Sequence, residues 1–275
     1  MKEHDMKDYD KQFNLRKRHP FGRVQMLGNE ISSIFTRLKL SNSRNLSYGD
    51  TAGQKLDIFP STKSDSPVFI FIHGGYFRAL DKRQYSFLAR PLVKAGYTVV
   101  LLNYDLVPHV SVAQIIEQNI RALNWIFQNI NQFNGDPRQL FLSGHSVGAT
   151  LVAKLLEHNW SQDMKSSFQG AIMLSGLYDL STLRQSYLNE SLSLSASDVK
   201  LMSPVNNKLI ASIPLLIAVG GSETDEFIRQ SKTYSEKLTK EGYENQFMIL
   251  ERQNHYEVIT AMGQPNNVLI KFLSK

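Results

Sequence analysis

The stretch 138–157, RQLFLSGHSVGATLVAKLLE, constrains the fold more than any other part of the chain. Leu140, Phe141 and Leu142 form a short apolar run suited to a buried strand, and Ala149, Leu151, Val152, Leu155 and Leu156 follow at helical spacing. Between them stands Gly144-His145-Ser146-Val147-Gly148. A strand that runs through G-x-S-x-G into a helix is a nucleophile elbow, and its turn is too tight for side chains beside the serine, hence the glycines. A chance Gly-Ser turn can carry the same letters, but only the elbow calls for a strand before and a helix after. It sets Ser146 at the C-terminal edge of a sheet. It also puts the Val147 N–H at a helix N-terminus, where it can donate to a developing oxyanion.

Around this element the chain alternates strand and helix. Residues 1–45 are polar and weakly periodic, which predicts a helical arm on the domain surface. Residues 45–60 read as two strands around a turn with Gly49, Asp50 and Gly53. The run PVFIFI at 67–72 is continuously apolar, as a central parallel strand covered on both faces must be. It ends in His73-Gly74-Gly75-Tyr76-Phe77, similar to the oxyanion loop of lipases and esterases, whose glycines turn backbone N–H groups toward a substrate carbonyl. Tyr76 and Phe77 either line an aromatic pocket or pack in the core.

A helix at 85–95 and a strand at 97–103 follow. Ile116, Ile120, Leu123, Phe127 and Ile130 then mark one apolar face of a long helix. After the elbow helix, 170–175, 213–219 and 246–250 read as further strands. The serine-rich segment 177–212 reads as a helical cap insertion over the site, a surface loop being the plainer alternative. This order predicts one α/β domain over 1–275, with a mostly parallel sheet and helices on both faces.

Three chemistry-bearing groups each follow a strand: Ser146, an acid at 223 or 225, and His255. That is the Ser, acid, His order of the α/β-hydrolases. Position favours Glu223, because a turn through Gly220 and Gly221 brings residue 223 to its tip. Asp225 falls where a helix should begin and has a sufficient role in its first turn. The remaining histidines lie in the glycine loop, the elbow, the arm, a turn or a helix.

Composition excludes several classes. With no cysteine there is no disulfide framework, thiolate nucleophile or cysteine zinc site. No stretch approaches the roughly 20 apolar residues of a membrane span. The polar N-terminus lacks a signal peptide's apolar core, so a cytoplasmic protein without membrane attachment is expected. The net charge of +6, densest at Arg16-Lys17-Arg18, is taken as a solvated surface rather than a nucleic-acid site.

HGGYF, YDLVP, GHSVGA, SGLYDLSTL and GGSETDEFIRQS together resemble kynurenine formamidase (arylformamidase), a branch of the α/β-hydrolases. The resemblance runs from about Asn45 to His255. It implies hydrolysis of N-formyl-L-kynurenine to formate and L-kynurenine, a step of tryptophan breakdown, without metal or organic cofactor. It implies Ser146, Glu223 and His255 as the triad, the family's acid falling four residues before the Phe of its EF pair, here Phe227. Gly74, Gly75, Tyr76 and Val147 would form the oxyanion hole, and Tyr76 and Phe77 would face an aromatic small-molecule substrate. A homodimer is compatible with this reading. Two departures stand out: the family's HGGYW is HGGYF here, and its usual Asp is Glu223. A small-acyl carboxylesterase and a catalytically silent binding protein are the alternatives.

Overall fold

The computed structural model describes residues 9–265 and 268–273, so residues 1–8 of the expected arm lie outside it. Eight strands form one sheet in the order β1-β2-β4-β3-β5-β6-β7-β8. These are β1 (Ser43–Ser47), β2 (Lys55–Phe59), β3 (Ser66–Ile72), β4 (Thr98–Leu102), β5 (Gly135–His145), β6 (Phe168–Leu174), β7 (Leu215–Gly220) and β8 (Asn245–Leu250). The β1–β2 and β2–β4 pairs are antiparallel; every pair from β4 to β8 is parallel. This is the architecture of the α/β-hydrolase fold.

The apolar runs are continuous because each strand feeds two cores. Val68, Ile70 and Ile72 of β3 pack on one face with Val100, Met173 and Ile217. Phe69 and Phe71 pack on the other with Val99, Leu101, Ile172 and Leu216. The principal helices are α1 (Gly22–Lys39), α2 (Val112–Asn129), α3 (Val147–Glu157), α4 (Asp225–Lys240) and α5 (Glu257–Met262). Helices α2, α3 and α4 cover the first face. Residues 85–92, α5 and the C-terminal Leu269 and Ile270 cover the second.

Two elements depart from the sequence reading. The inward stripe of α2 is Val112, Ile115, Ala122, Leu123 and Ile126, with Gln118 and Asn119 among them. Ile116, Ile120 and Phe127 are only half-buried. Spacing by three and four fixes a helix but leaves its rotation open when two adjacent stripes both carry apolar residues. The buried amides explain the choice, since Gln118 binds the Asp105 backbone and carboxylate and Asn119 donates to the Ile115 carbonyl. The arm is also more than a surface helix: Phe13 is fully buried, meeting Tyr76 and Phe227 edge-on.

Between the β1–β2 hairpin and the segment after the glycine loop lies a buried ion pair. Lys82 Nζ is 2.9 Å from Asp57 Oδ1, with side chains 3% and 1% exposed. Asn45 completes it, accepting from Lys82 Nζ at 2.8 Å and donating its backbone N–H to Asp57 at 2.8 Å. Breaking such a pair leaves one charge buried without compensation. Lys82→Met should therefore lower the unfolding free energy by about 3–5 kcal/mol. The double change Lys82→Met, Asp57→Leu should recover much of that loss in urea titrations.

Candidate active site

Ser146 sits between β5 and α3 with φ 58° and ψ −127°, a backbone conformation that costs energy for any residue with a Cβ. Its neighbours explain how the turn persists. A Cβ on Gly148 would collide with the Ile72 carbonyl oxygen at the end of β3, and one on Gly144 would collide with the Gly148 backbone. The Ser146 N–H donates to the Leu174 carbonyl oxygen at 2.8 Å. The elbow is thus clamped between the ends of β3 and β6. Val147 opens α3, where first-turn N–H groups have no intrahelical acceptor.

Glu223 and His255 arrive from the ends of β7 and β8. His255 Nδ1 lies 2.6 Å from Glu223 Oε2, both residues being buried. The other carboxylate oxygen accepts the Gly220 N–H at 2.8 Å and the Ser175 hydroxyl. Asp225 is exposed at the first position of α4, so the structure brings Glu223 and not Asp225 to the imidazole. Ser175, one residue past β6 with φ 51°, opens the SGLYDLSTL segment, but the sequence assigns it no role. Its sequence signals are that motif and its place at a strand's C-terminal end. The ring of His255 packs against Phe227 and His145 at centroid distances of 4.4 and 4.5 Å. Burial foremost, and then the neighbouring His255, hold His145 well below the usual imidazole range, so it stays neutral.

The glycine loop closes the other side. Gly75, Tyr76 and Phe77 have successive φ values of 107°, 52° and 60°. A Cβ on Gly74 would stand 2.7 Å from the His145 carbonyl oxygen and 2.9 Å from Ser146 Cβ, so the loop touches the elbow directly. His73 anchors it, with Nδ1 2.8 Å from the Gly74 carbonyl oxygen and its ring stacked on Tyr104 at 4.3 Å. Burial holds His73 below its ordinary pKa as well.

Ser146, His255, Gly75 and Tyr76 share a cavity of about 350 Å³. Phe77 is not among its lining residues; it is fully buried in the core, its carbonyl accepting the Val107 N–H at 3.0 Å. The aromatic wall comes instead from Tyr76, Tyr85, Tyr187 and Tyr256. The arm contributes Phe13, Arg16, Met26 and Asn29, none of which carries a motif. Among the described residues no three His, Asp or Glu side chains gather as a metal site would require.

A model of the α/β-hydrolase fold matches residues 69–258. A kynurenine formamidase from Danio rerio is 33% identical over 237 residues, 83% of this chain and 79% of that protein. One from Salmo salar is 32% identical over 265 residues, 89% of this chain and 88% of that protein. The chain belongs to the kynurenine formamidase family of α/β-hydrolases. In fold, this family member superposes on a thioesterase-designated crystal structure from Silicibacter with TM-score 0.87 and 24% identity, covering 97% of this chain and 98% of that one.

In this formamidase-family chain a hydroxyl and an imidazole face one cavity, and a buried carboxylate holds the imidazole's far nitrogen. Base-assisted nucleophilic attack needs that set of groups. Glu223→Gln should lower kcat on an activated aryl ester by about four orders of magnitude, the scale seen when a triad acid becomes its amide. Asp225→Asn should stay within a few-fold of wild type; the opposite ranking would reassign the acid.

Proposed function

We propose that the protein hydrolyses N-formyl-L-kynurenine to formate and L-kynurenine through a formyl-enzyme on Ser146. The observation that carries this reading is the shared cavity: Ser146 and His255 at one end, a tyrosine-lined wall beside them, and Glu223 behind the imidazole. His255 takes the Ser146 proton as Oγ attacks the formyl carbon. The N–H groups of Val147 and of the Gly75–Tyr76 turn receive the oxyanion, and Gly74 leaves room for the loop to approach. His255 then protonates the departing arylamine nitrogen, and the same sequence run with water releases formate.

The acyl side supports a small group. Gly74 approaches the elbow so closely that a Cβ on it would meet the His145 carbonyl and Ser146 Cβ, and in this reading the crowding beside Ser146 disfavours acyl chains longer than formyl. Residues 177–212 act as a partial cap in this proposal, supported by Tyr187 in the cavity wall and by Ser191, which accepts from Arg78 Nη1 at 2.9 Å. A cytoplasmic place of action belongs to the same reading. Among the described residues no helix is long and apolar enough to cross a membrane.

Formate release is the direct test. Efficiency on aromatic N-acyl amines should fall about tenfold or more from formyl to acetyl, the usual penalty of one added methylene in a tight pocket. Ser146→Ala and His255→Ala should each remove several orders of magnitude of kcat in a folded protein, because triad members act as a unit. Equal rates on formyl and butyryl substrates would favour the carboxylesterase reading instead.

We also propose that the chain pairs as a homodimer through the outer face of α1. Val24, Leu27, Ile31, Ile34 and Leu38 recur at steps of three and four, flanked by Phe21 and Phe35, and all seven are between 45% and 76% exposed. That spacing is the seam of paired helices. Seven large apolar side chains exposed along one helix are more than the scattered single residues a monomer's surface normally carries. Sedimentation should find a dimer, and Leu27→Glu with Ile34→Glu should give a monomer. A wild-type monomer at tens of micromolar would overturn the pairing.

A further inference from the structure

Among the described residues, the cavity that holds Ser146 is lined by two arginines, Arg16 and Arg78, and by no aspartate or glutamate. Among the described residues neither guanidinium forms an ion pair. Arg78 follows directly from the glycine loop, its N–H donating to the Gly75 carbonyl at 3.0 Å. Its guanidinium is oriented by Ser191 and lies over the Tyr187 ring at 5.6 Å from the centroid. Arg16 reaches the cavity from the arm, in the short helix Leu15–Arg18, and is exposed. Burial raises the Tyr187 phenol above its ordinary range, and both positive charges oppose that rise. The Asp10 carboxylate, which also acts on Tyr187, accepts the Tyr187 backbone N–H at 2.6 Å and lies outside the lining.

We propose that Arg78 and Arg16 form a carboxylate-binding subsite that reads the acidic end of the substrate. Two cations among described lining residues that include no carboxylate leave that lining short of negative charge, and an anion is what compensates it. A planar guanidinium already fixed by a hydroxyl and an aromatic face can still offer two parallel N–H groups to a carboxylate. The inference rests on the formamidase reading, in which the amino-acid chain leaves the ring ortho to the formamide, through a ketone, so that its carboxylate ends several bonds from the scissile carbon. A carboxylate there can meet a second group of the same cavity while the formyl carbon faces Ser146. Arg78 is then a specificity residue attached to the oxyanion turn, so anchoring of the acid and placement of the formyl group are mechanically linked.

The experiment compares N-formyl-L-kynurenine with its decarboxylated analogue, which keeps the aryl formamide and the ammonium group but lacks the acid. The readout is the ratio of kcat/KM for the two. Wild type should favour the acid by roughly tenfold or more, the scale of a hydrogen bond to a charged group. Arg78→Gln should bring that ratio near one, mainly through KM, and Arg78→Lys should restore part of it. Arg16→Gln, at the exposed cation, should lower the ratio a few-fold, and added salt should weaken its contribution. A wild-type ratio near one overturns the subsite, as does an Arg78→Gln variant that loses efficiency on both substrates and keeps the ratio. Failure of wild type to cleave either formamide would refute the formamidase reading instead, a separate outcome.

Discussion

A carboxylate buried behind the site holds its parts in register. Glu223 is 3% exposed and is met by His255, Ser175 and the Gly220 N–H. Removing a carboxylate from water is costly unless donors replace the lost hydration. Here the donors come from the ends of β6, β7 and the loop after β8, so satisfying one side chain fixes three strand ends relative to each other. The imidazole inherits its orientation from that arrangement.

The opposite side is set by contact between backbones. The elbow rests against the end of β3 through Gly148, and the glycine loop rests against the elbow through Gly74. Neither contact leaves room for a Cβ. Three successive positive φ values in the loop persist only where their surroundings over-determine them. Asn103 does much of this work. Its side-chain oxygen accepts the Lys82 N–H at 3.1 Å and lies 3.1 Å from His73 Nε2, and its carbonyl accepts the Tyr48 hydroxyl at 2.6 Å. The buried Lys82–Asp57 pair beside it joins this network to the hairpin. Such a pair adds little net stability over apolar packing, but it admits few alternative arrangements.

The elements legible in the sequence are those whose chemistry needs a local pattern. Strand–GHSVG–helix must be contiguous, so Ser146 could be read directly. Glu223 and His255 could be placed because each follows a strong strand by a few residues. Phe77 misled because an aromatic beside a catalytic loop has no sequence mark for the face it takes; with φ 60° it turns into the core. Ser175 stood in a recognised motif, but its role could not be read, since it exists only once Glu223 folds against it. The cavity's far wall was illegible for a similar reason. Phe13, Arg16 and Asn29 precede the sheet and reach the site only through tertiary packing.

That arm braces both halves of the site. On one side of α1, Gln25 donates to Glu257 at 2.7 Å and Asn29 to Thr260 Oγ1 at 2.8 Å, tying the helix to α5 just beyond His255. Further along, Ser33 donates to the Gln84 carbonyl at 2.9 Å and accepts the Phe87 N–H at 3.1 Å, tying it to the segment after the glycine loop. The residues of α1 most deeply buried are small or polar, Gly22, Ser33 and Thr36, so this attachment relies on hydrogen bonds and close approach more than on apolar burial. Gly22 is needed for that approach, since a Cβ there would run into the Tyr256 ring. A helix held mainly by polar contacts, with its large apolar residues turned outward, gains stability if those residues are covered. Pairing along its outer face would therefore also stiffen the wall that carries Met26 and Asn29 into the cavity.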